Sequence, residues 1–148
     1  MQRALTVATC QFPVSGDIEK NLTHTLTLIA QAKEQGAQVT HFSESSLSAR
    51  IYQEEGREMG SLITGTVRGR AANNHLWISA SNTSQRESCF AGFVVQPDGR
   101  LLHQLKRNVA GVLISQFDLS KAFADPSGPW RDRAIQGILH SNVLEKQE

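Results

Sequence analysis

Two side chains of this sequence, a carboxylate and a thiol, could take part in nucleophilic chemistry. Glu44 follows a short strand-like segment at residues 38–42, and Cys89 precedes an apolar run at residues 90–95. A cysteine thiolate is a strong nucleophile, and a carboxylate can carry the protons that its attack moves. Each side chain also has a plainer interpretation. Glu44 could be a solvated loop carboxylate or a helix cap, and Cys89 is a single thiol for which the sequence positions no base.

The elements before Glu44 are predicted to be a strand, a helix and a second strand. Residues 4–12 are mostly apolar and are followed by a turn with Pro and Gly. The helix pattern after them is carried by residues at four- and three-residue steps: Ile18, Leu22, Thr25, Ile29 and Ala32. Asp17 can cap this helix, and Gly36 can end it with a positive φ. A right-handed crossover makes the two strands parallel, so Glu44 lies beyond their carboxyl ends, where open α/β sheets bind ligands.

The other thiol and the histidines give weaker indications of a functional site. Cys10 lies inside the first predicted strand, where we expect an inert core thiol. The five histidines are scattered along the chain: His24, His41, His75, His103 and His140. Metal sites need ligands at short intervals with further Cys or carboxylate support, and no such spacing is present. The sequence therefore predicts no metal site and no cofactor.

Two longer blocks of the sequence carry a more specific signal than any single residue. The first contains VATCQFPVSGDIEKNL, AQAKEQGAQV and HFSES, and the second contains RAANN, LWISASNTS, FAGFVVQPDGR and GVLISQFDLS. In this order they resemble the carbon-nitrogen hydrolases, the nitrilase and amidase superfamily. The resemblance implies an α/β fold, a shortened αββα nitrilase-like sandwich, and it identifies Glu44 with the catalytic glutamate, the general base. The family usually has Pro directly before this Glu, whereas this chain has Ser43.

The other two catalytic groups of the family have no counterpart at the expected place. Its Lys and Cys should fall between Glu44 and Arg70, and residues 45–69 contain neither residue type. An alternative assignment to Lys106 and Ser115 fails, because too few residues separate them and because the RAANN and LWISASN segments would stay unexplained. We therefore expect a homologue with little or no activity on amides or nitriles, or else a non-catalytic binding or assembly subunit. A hydrolase that uses Cys89 together with Glu44 is the third hypothesis.

The chain is expected to form a single domain over residues 1–148. We divide it into an amino-terminal half at 1–48, a carboxy-terminal half at 62–120 and a tail at 121–148. The pattern predicts about six strands, among them an apolar strand at residues 90–95 and a strand that resumes at Leu101 after a turn at Pro97–Gly99. Helices are predicted near residues 18–35, 62–73 and 129–140.

Composition and charge limit the expected partners. The formal net charge is +1, which provides no large basic field for nucleic acid. No apolar run approaches the roughly 18 to 20 residues that cross a bilayer, and Met1 is not followed by an apolar signal region, so we expect a cytoplasmic protein without a membrane partner. A shortened sandwich would expose strand edges and apolar faces, and we therefore expect a homo-oligomer. If the chain is active, the resemblance implies a small amide or nitrile as substrate.

Overall fold

The computed structural model describes residues 3–44, 46–47, 59–86 and 88–138. Over these residues the chain is a mixed α/β structure with three helices and six strands. In chain order they are β1 (Ala4–Gln11), α1 (Ile18–Glu34), β2 (Val39–His41), α2 (Met59–Asn74), β3 (Ile78–Ala80), β4 (Phe93–Val95), β5 (Leu101–Gln104), β6 (Gly111–Asp118) and α3 (Gly128–Ile135). The last residues of the predicted third helix, 139 and 140, lie outside the described part of the chain.

The strands form two three-stranded sheets. The first has the order β2-β1-β6, and the predicted parallel pairing is confirmed, with Val7 opposite Val39. On its other side β1 pairs antiparallel with β6 along its whole length, from Ala4 opposite Asp118 to Gln11 opposite Gly111. The second sheet has the antiparallel order β3-β4-β5. The predicted hairpin turn at Pro97–Gly99 joins β4 to β5, and Gly99 there has a φ of 80°.

Three apolar clusters stack the elements in the order helix, sheet, sheet, helix. Buried side chains of β1, among them Ala8 and Cys10, pack against Leu28 and Ala32 of α1. Val7, Phe117 and Val94 form the cluster between the two sheets. On the far side of the second sheet, Phe93 and Val95 of β4 pack against Ala71 of α2, which is a residue with no side-chain entropy to lose on burial.

Local signals set the ends of α1, but its buried face differs from the prediction. The Asp17 carboxylate accepts a hydrogen bond from the Lys20 amide, and Gly36 has a φ of 78°. Of the predicted periodic residues, Thr25 and Ala32 are buried, whereas Ile18, Leu22 and Ile29 are exposed. The helix turns Asn21 and Leu28 toward the sheet instead. Asn21 and Thr25 can be buried there because their side chains donate hydrogen bonds to the carbonyls of Ser15 and Asn21.

Among the described residues no helix is long and apolar enough to cross a membrane.

Candidate functional site

Glu44 lies in the turn that directly follows β2, and its side chain is exposed. Because β2 runs parallel to β1, this turn is at the carboxyl end of both strands, where the sequence predicted it. The Ser46 amide donates to the Ser43 carbonyl at 3.3 Å, which closes the turn around Glu44. The position of the carboxylate is compatible with a proton-transfer role and also with a solvated loop. Its catalytic role stays a prediction.

A hydrogen-bonded group of three polar side chains links the two sheets near β2. The hydroxyl oxygens of Thr9 and Ser79 are 2.7 Å apart, and the His41 Nδ1 atom is 3.1 Å from the Ser79 hydroxyl. Burial lowers the pKa of His41, which favours the neutral ring. A neutral Nδ1 can accept the Ser79 proton while Thr9 donates to Ser79. The sequence reading assigned no role to Thr9 or Ser79, because isolated hydroxyls in short strands give no periodic signal.

Gln11, the last residue of β1, fixes the loops that surround this end of the molecule. Its side-chain nitrogen donates to the carbonyl of Lys106 at 2.8 Å and to that of Val109, and its oxygen accepts from the Gly92 amide at 2.8 Å. The side chain is buried, so its polar atoms would be costly without these partners. A glutamine inside an apolar strand was the available sequence signal for this role.

Asn82 shapes the loop that carries Cys89. Its buried side-chain nitrogen donates to the Ser88 hydroxyl at 3.0 Å and to the Phe90 carbonyl at 3.1 Å. These bonds hold residues 88–90 out of strand conformation, and β4 therefore begins at Phe93 rather than at the predicted residue 90. Cys89 lies in an irregular loop and is only 6% exposed.

Cys89 lines a cavity of about 490 Å³ between the start of α2, its own loop and the end of β5. Gly60 of α2 approaches the Cys89 backbone so closely that a Cβ at position 60 would overlap the Cys89 carbonyl oxygen. The other side chains of interest in the wall are Arg68, Arg107 and Gln104. Glu44 is not among the lining residues. The structure therefore does not bring the two predicted site residues into this cavity together, and the role of Cys89 also stays a prediction.

The other residues that were weighed as nucleophile or cation lie elsewhere. Cys10 is fully buried in β1, and burial raises its pKa to about 11, which agrees with an inert core thiol. The two cysteines form no disulfide. Lys106 is in the loop after β5, where its carbonyl accepts from Gln11, and Ser115 is buried within β6. Within the described ranges, no three His, Cys, Asp or Glu side chains converge on a possible metal position.

The comparison with protein families agrees with the first sequence block and with the start of the second. Residues 6–80, just over half of the chain, match the family described as Carbon-nitrogen hydrolase. No curated protein sequence matches the chain. Among solved structures, the chain is similar to the crystal structure of the C. elegans NitFhit protein, with a TM-score of 0.32 and 17% sequence identity. That similarity covers 83% of this chain and 34% of the NitFhit chain, so this chain spans about a third of the length of that protein. The family match, which includes β1, α1, β2 and the Glu44 turn, shows that the chain belongs to the carbon-nitrogen hydrolase family.

Proposed function

We propose that this chain is a carbon-nitrogen hydrolase homologue that keeps the glutamate of the family, Glu44, but catalyses little or no hydrolysis of amides or nitriles by itself. Family membership supports the descent from an enzyme of this type. The helix, sheet, sheet, helix order of the apolar clusters supports a shortened αββα nitrilase-like sandwich.

The family reaction needs three groups that act on one substrate carbon. A thiolate attacks, a carboxylate moves protons, and a cation stabilises the oxyanion of the tetrahedral intermediate. The observation that carries the proposal is that Glu44 is not among the residues that line the cavity beside Cys89. Cys10 is a buried thiol whose raised pKa keeps it protonated at neutral pH. Glu44 alone would have to activate water, which is a much weaker nucleophile than a thiolate.

Trapping of an acyl intermediate tests this proposal. The purified chain is incubated with amides, nitriles and p-nitrophenyl acetate, and intact mass followed by peptide mapping locates any acyl adduct. We expect Cys89 to acylate no faster than N-acetylcysteine, and Cys10 to stay unmodified. Matched variants are Glu44→Gln and Cys89→Ser. An adduct on Cys89 that forms faster than the reference thiol and is lost in Glu44→Gln would show an active enzyme and refute the proposal.

A second candidate function, an assembly subunit, is favoured by an apolar stripe on α1. The stripe consists of exposed residues on successive turns of one side of the helix: Ile18 (56% exposed), Leu22 (39%), Leu26 (58%) and Ile29 (41%). Exposed apolar surface of this kind promotes association. The stripe is contiguous with the buried face of α1 around the helix, so a second copy of this chain or a full-length homologue would extend the same packing.

Sedimentation velocity tests the assembly function on the intact chain. We expect a dimer or larger species for the unmodified protein and a shift to monomer for Leu26→Glu, because a carboxylate at the centre of the stripe cannot be buried without a partner. Thr27→Glu is the matched control, since Thr27 is exposed on a different side of α1. A monomer at every concentration, or equal effects of the two substitutions, would exclude this function for the stripe.

A further inference from the structure

The cavity beside Cys89, which has no place in the proposed function, is lined by two arginines. Arg68 comes from α2 and Arg107 from the loop after β5, and both line the cavity. None of the described residues that line it is an Asp or Glu. Its volume of about 490 Å³ lies within the range of small-molecule sites. Two arginines in the wall of one cavity raise its positive potential and favour an anion there.

Arg68 is held in place by the hairpin turn of the second sheet. Its Nε atom donates to the Gly99 carbonyl at 2.9 Å. Gly99 approaches α2 so closely that a Cβ there would lie 3.0 Å from the Arg68 carbonyl oxygen. This bond uses the Nε–H, and within the described part of the chain the two terminal amino groups of the guanidinium have no hydrogen-bond partner. A guanidinium that is already fixed loses less conformational freedom when a ligand binds.

We propose that this cavity binds a small molecule through an oxyanion, either a carboxylate or a phosphate. The planar guanidinium fork makes paired hydrogen bonds to both kinds of oxyanion. Phe90 and Ala91 supply an apolar part of the wall, which reduces screening of the two positive charges. The Thr64 hydroxyl already donates its proton to the Gly60 carbonyl at 2.8 Å and is not available to an anion. The positive charge that attracts an anion comes from the two arginines. This inference does not depend on whether the chain is an active hydrolase.

The Cys89 thiol reports on the charge of its own cavity through charge-selective alkylation. Iodoacetate and iodoacetamide have nearly the same size and react with the same thiolate, so the pKa of Cys89 cancels in the ratio of their rates. Division by the same ratio for N-acetylcysteine removes the intrinsic difference between the reagents. We expect this normalised ratio to favour iodoacetate by about tenfold or more at low salt, since clefts lined by one sign of charge raise on-rates by this order. Added salt should lower it.

Variants of the two arginines identify the source of the selectivity. Arg107→Gln and Arg68→Lys are compared with Arg70→Gln, which removes an exposed cation from a different side of α2. We expect Arg107→Gln to reduce the normalised ratio severalfold and Arg70→Gln to leave it unchanged. A ratio near one in the unmodified protein, or equal effects of Arg107→Gln and Arg70→Gln, would overturn the proposal. Thermal unfolding confirms that each variant is folded before its ratio is measured.

A titration that does not need thiol reactivity provides the second test. Inorganic phosphate and acetate are added separately while the backbone amide resonances of Gly60, Ser61, Gly65 and Gln104 are followed by NMR. We expect saturable shifts with at least one anion, and these shifts should be lost in Arg107→Gln. The anion that saturates at lower concentration distinguishes a phosphate site from a carboxylate site. If neither anion gives saturable shifts, the proposal is wrong, even where Cys89 resists both alkylating reagents.

Discussion

Gln11 is the residue on which the loops around the end of β1 depend most. One buried side chain satisfies the carbonyls of Lys106 and Val109 and the amide of Gly92. These backbone groups belong to the segments before β6 and before β4, so Gln11 connects the two sheets through loops rather than through strands. Such a polar network specifies one arrangement of the loops when every member has a partner.

Gln11→Met should therefore lower the free energy of unfolding by about 1 to 3 kcal/mol, because the buried Gly92 amide would lose its partner, whereas water can reach the carbonyls of the exposed Lys106 and Val109. Methionine has a similar length, which keeps the loss of packing small. Urea denaturation measures the effect, and Gln31→Met on the exposed side of α1 is the control. A loss no larger than that of the control would show that the network contributes nothing.

His41 should make the stability of the chain depend on pH. Burial lowers the pKa of its ring, so the folded state favours the neutral form relative to the unfolded state. The contribution is fully present above the unfolded pKa of about 6.5 and is lost as the pH falls through the lowered folded pKa. We expect His41→Asn to lose less stability than the unmodified chain between pH 7.5 and 5. The exposed His103→Asn is the control, and an unchanged slope in His41→Asn would refute this role.

At the level of single residues, the sequence located some side chains and missed others. It predicted Cys10 in the core and Glu44 at a strand end, because each position follows from the strand pattern alone. The Thr9, Ser79 and His41 group was missed, since its members come from three strands in two sheets and meet only through the fold. The Cys89 cavity was missed for the same reason, because α2 and β5 supply its walls.

At the level of elements, the entry into α1 shows how a motif becomes a structure. Asp17 caps the helix, and the buried Asn21 binds back to the preceding turn. The Asn21 oxygen accepts from the Ser15 amide at 2.9 Å, and its nitrogen donates to the Ser15 carbonyl at 2.8 Å. The Gly16-Asp17 and Asn21-Leu22 pairs in the first sequence block thus have a physical reason. Asp17 and Asn21 join the start of α1 to the turn that precedes it.

Asn21→Ala should lower the free energy of unfolding by about 2 kcal/mol, since the turn loses the three hydrogen bonds between the Asn21 side chain and Ser15 and a small cavity replaces the side chain. The exposed Thr23→Ala on the same helix should change it by less than about 0.5 kcal/mol. Thermal and urea unfolding of the two variants provide the comparison. Equal losses would mean that Asn21 is not needed to hold the turn.

The sequence predicted well those element boundaries that are set by a nearby helix cap or turn. The start of α1 at Ile18 and the hairpin at Pro97–Gly99 are set by a cap and a turn within a few residues. The start of β4 and the buried face of α1 were predicted less well. Side-chain contacts decide both: Asn82 holds the loop before β4, and the first sheet packs on α1. Periodicity within one segment carries no information about such partners.

At the level of the whole molecule, the family match ends before the fold is complete. Residues 6–80 contain β1 to β3, whereas β6 forms the full antiparallel partner of β1, and β4 and β5 complete the second sheet. The pairing of β1 with β6 joins residues a hundred or more positions apart, so no local pattern could predict it. The two-layered arrangement of the sheets was predicted from the resemblance to the family.

A fragment of residues 1–80 should therefore fail to fold alone. It would leave one edge of β1 unpaired and the inner face of the first sheet uncovered, since Phe117 and Val94 are missing. We expect a narrow range of amide proton shifts in NMR and no cooperative thermal transition, in contrast to the full chain. Dispersed amide shifts with a cooperative transition in the fragment would show that the second sheet and β6 are dispensable.

We propose that Glu44 and Cys89 do not act together. The rate at which neutral iodoacetamide alkylates Cys89, measured across pH 6 to 9 in the unmodified chain and in Glu44→Gln, tests it most directly and needs no knowledge of a substrate. We predict the same rate profile for both proteins, because Glu44 lies outside the cavity that Cys89 lines. A tenfold or larger loss of rate at neutral pH in Glu44→Gln, with folding intact, would contradict the account.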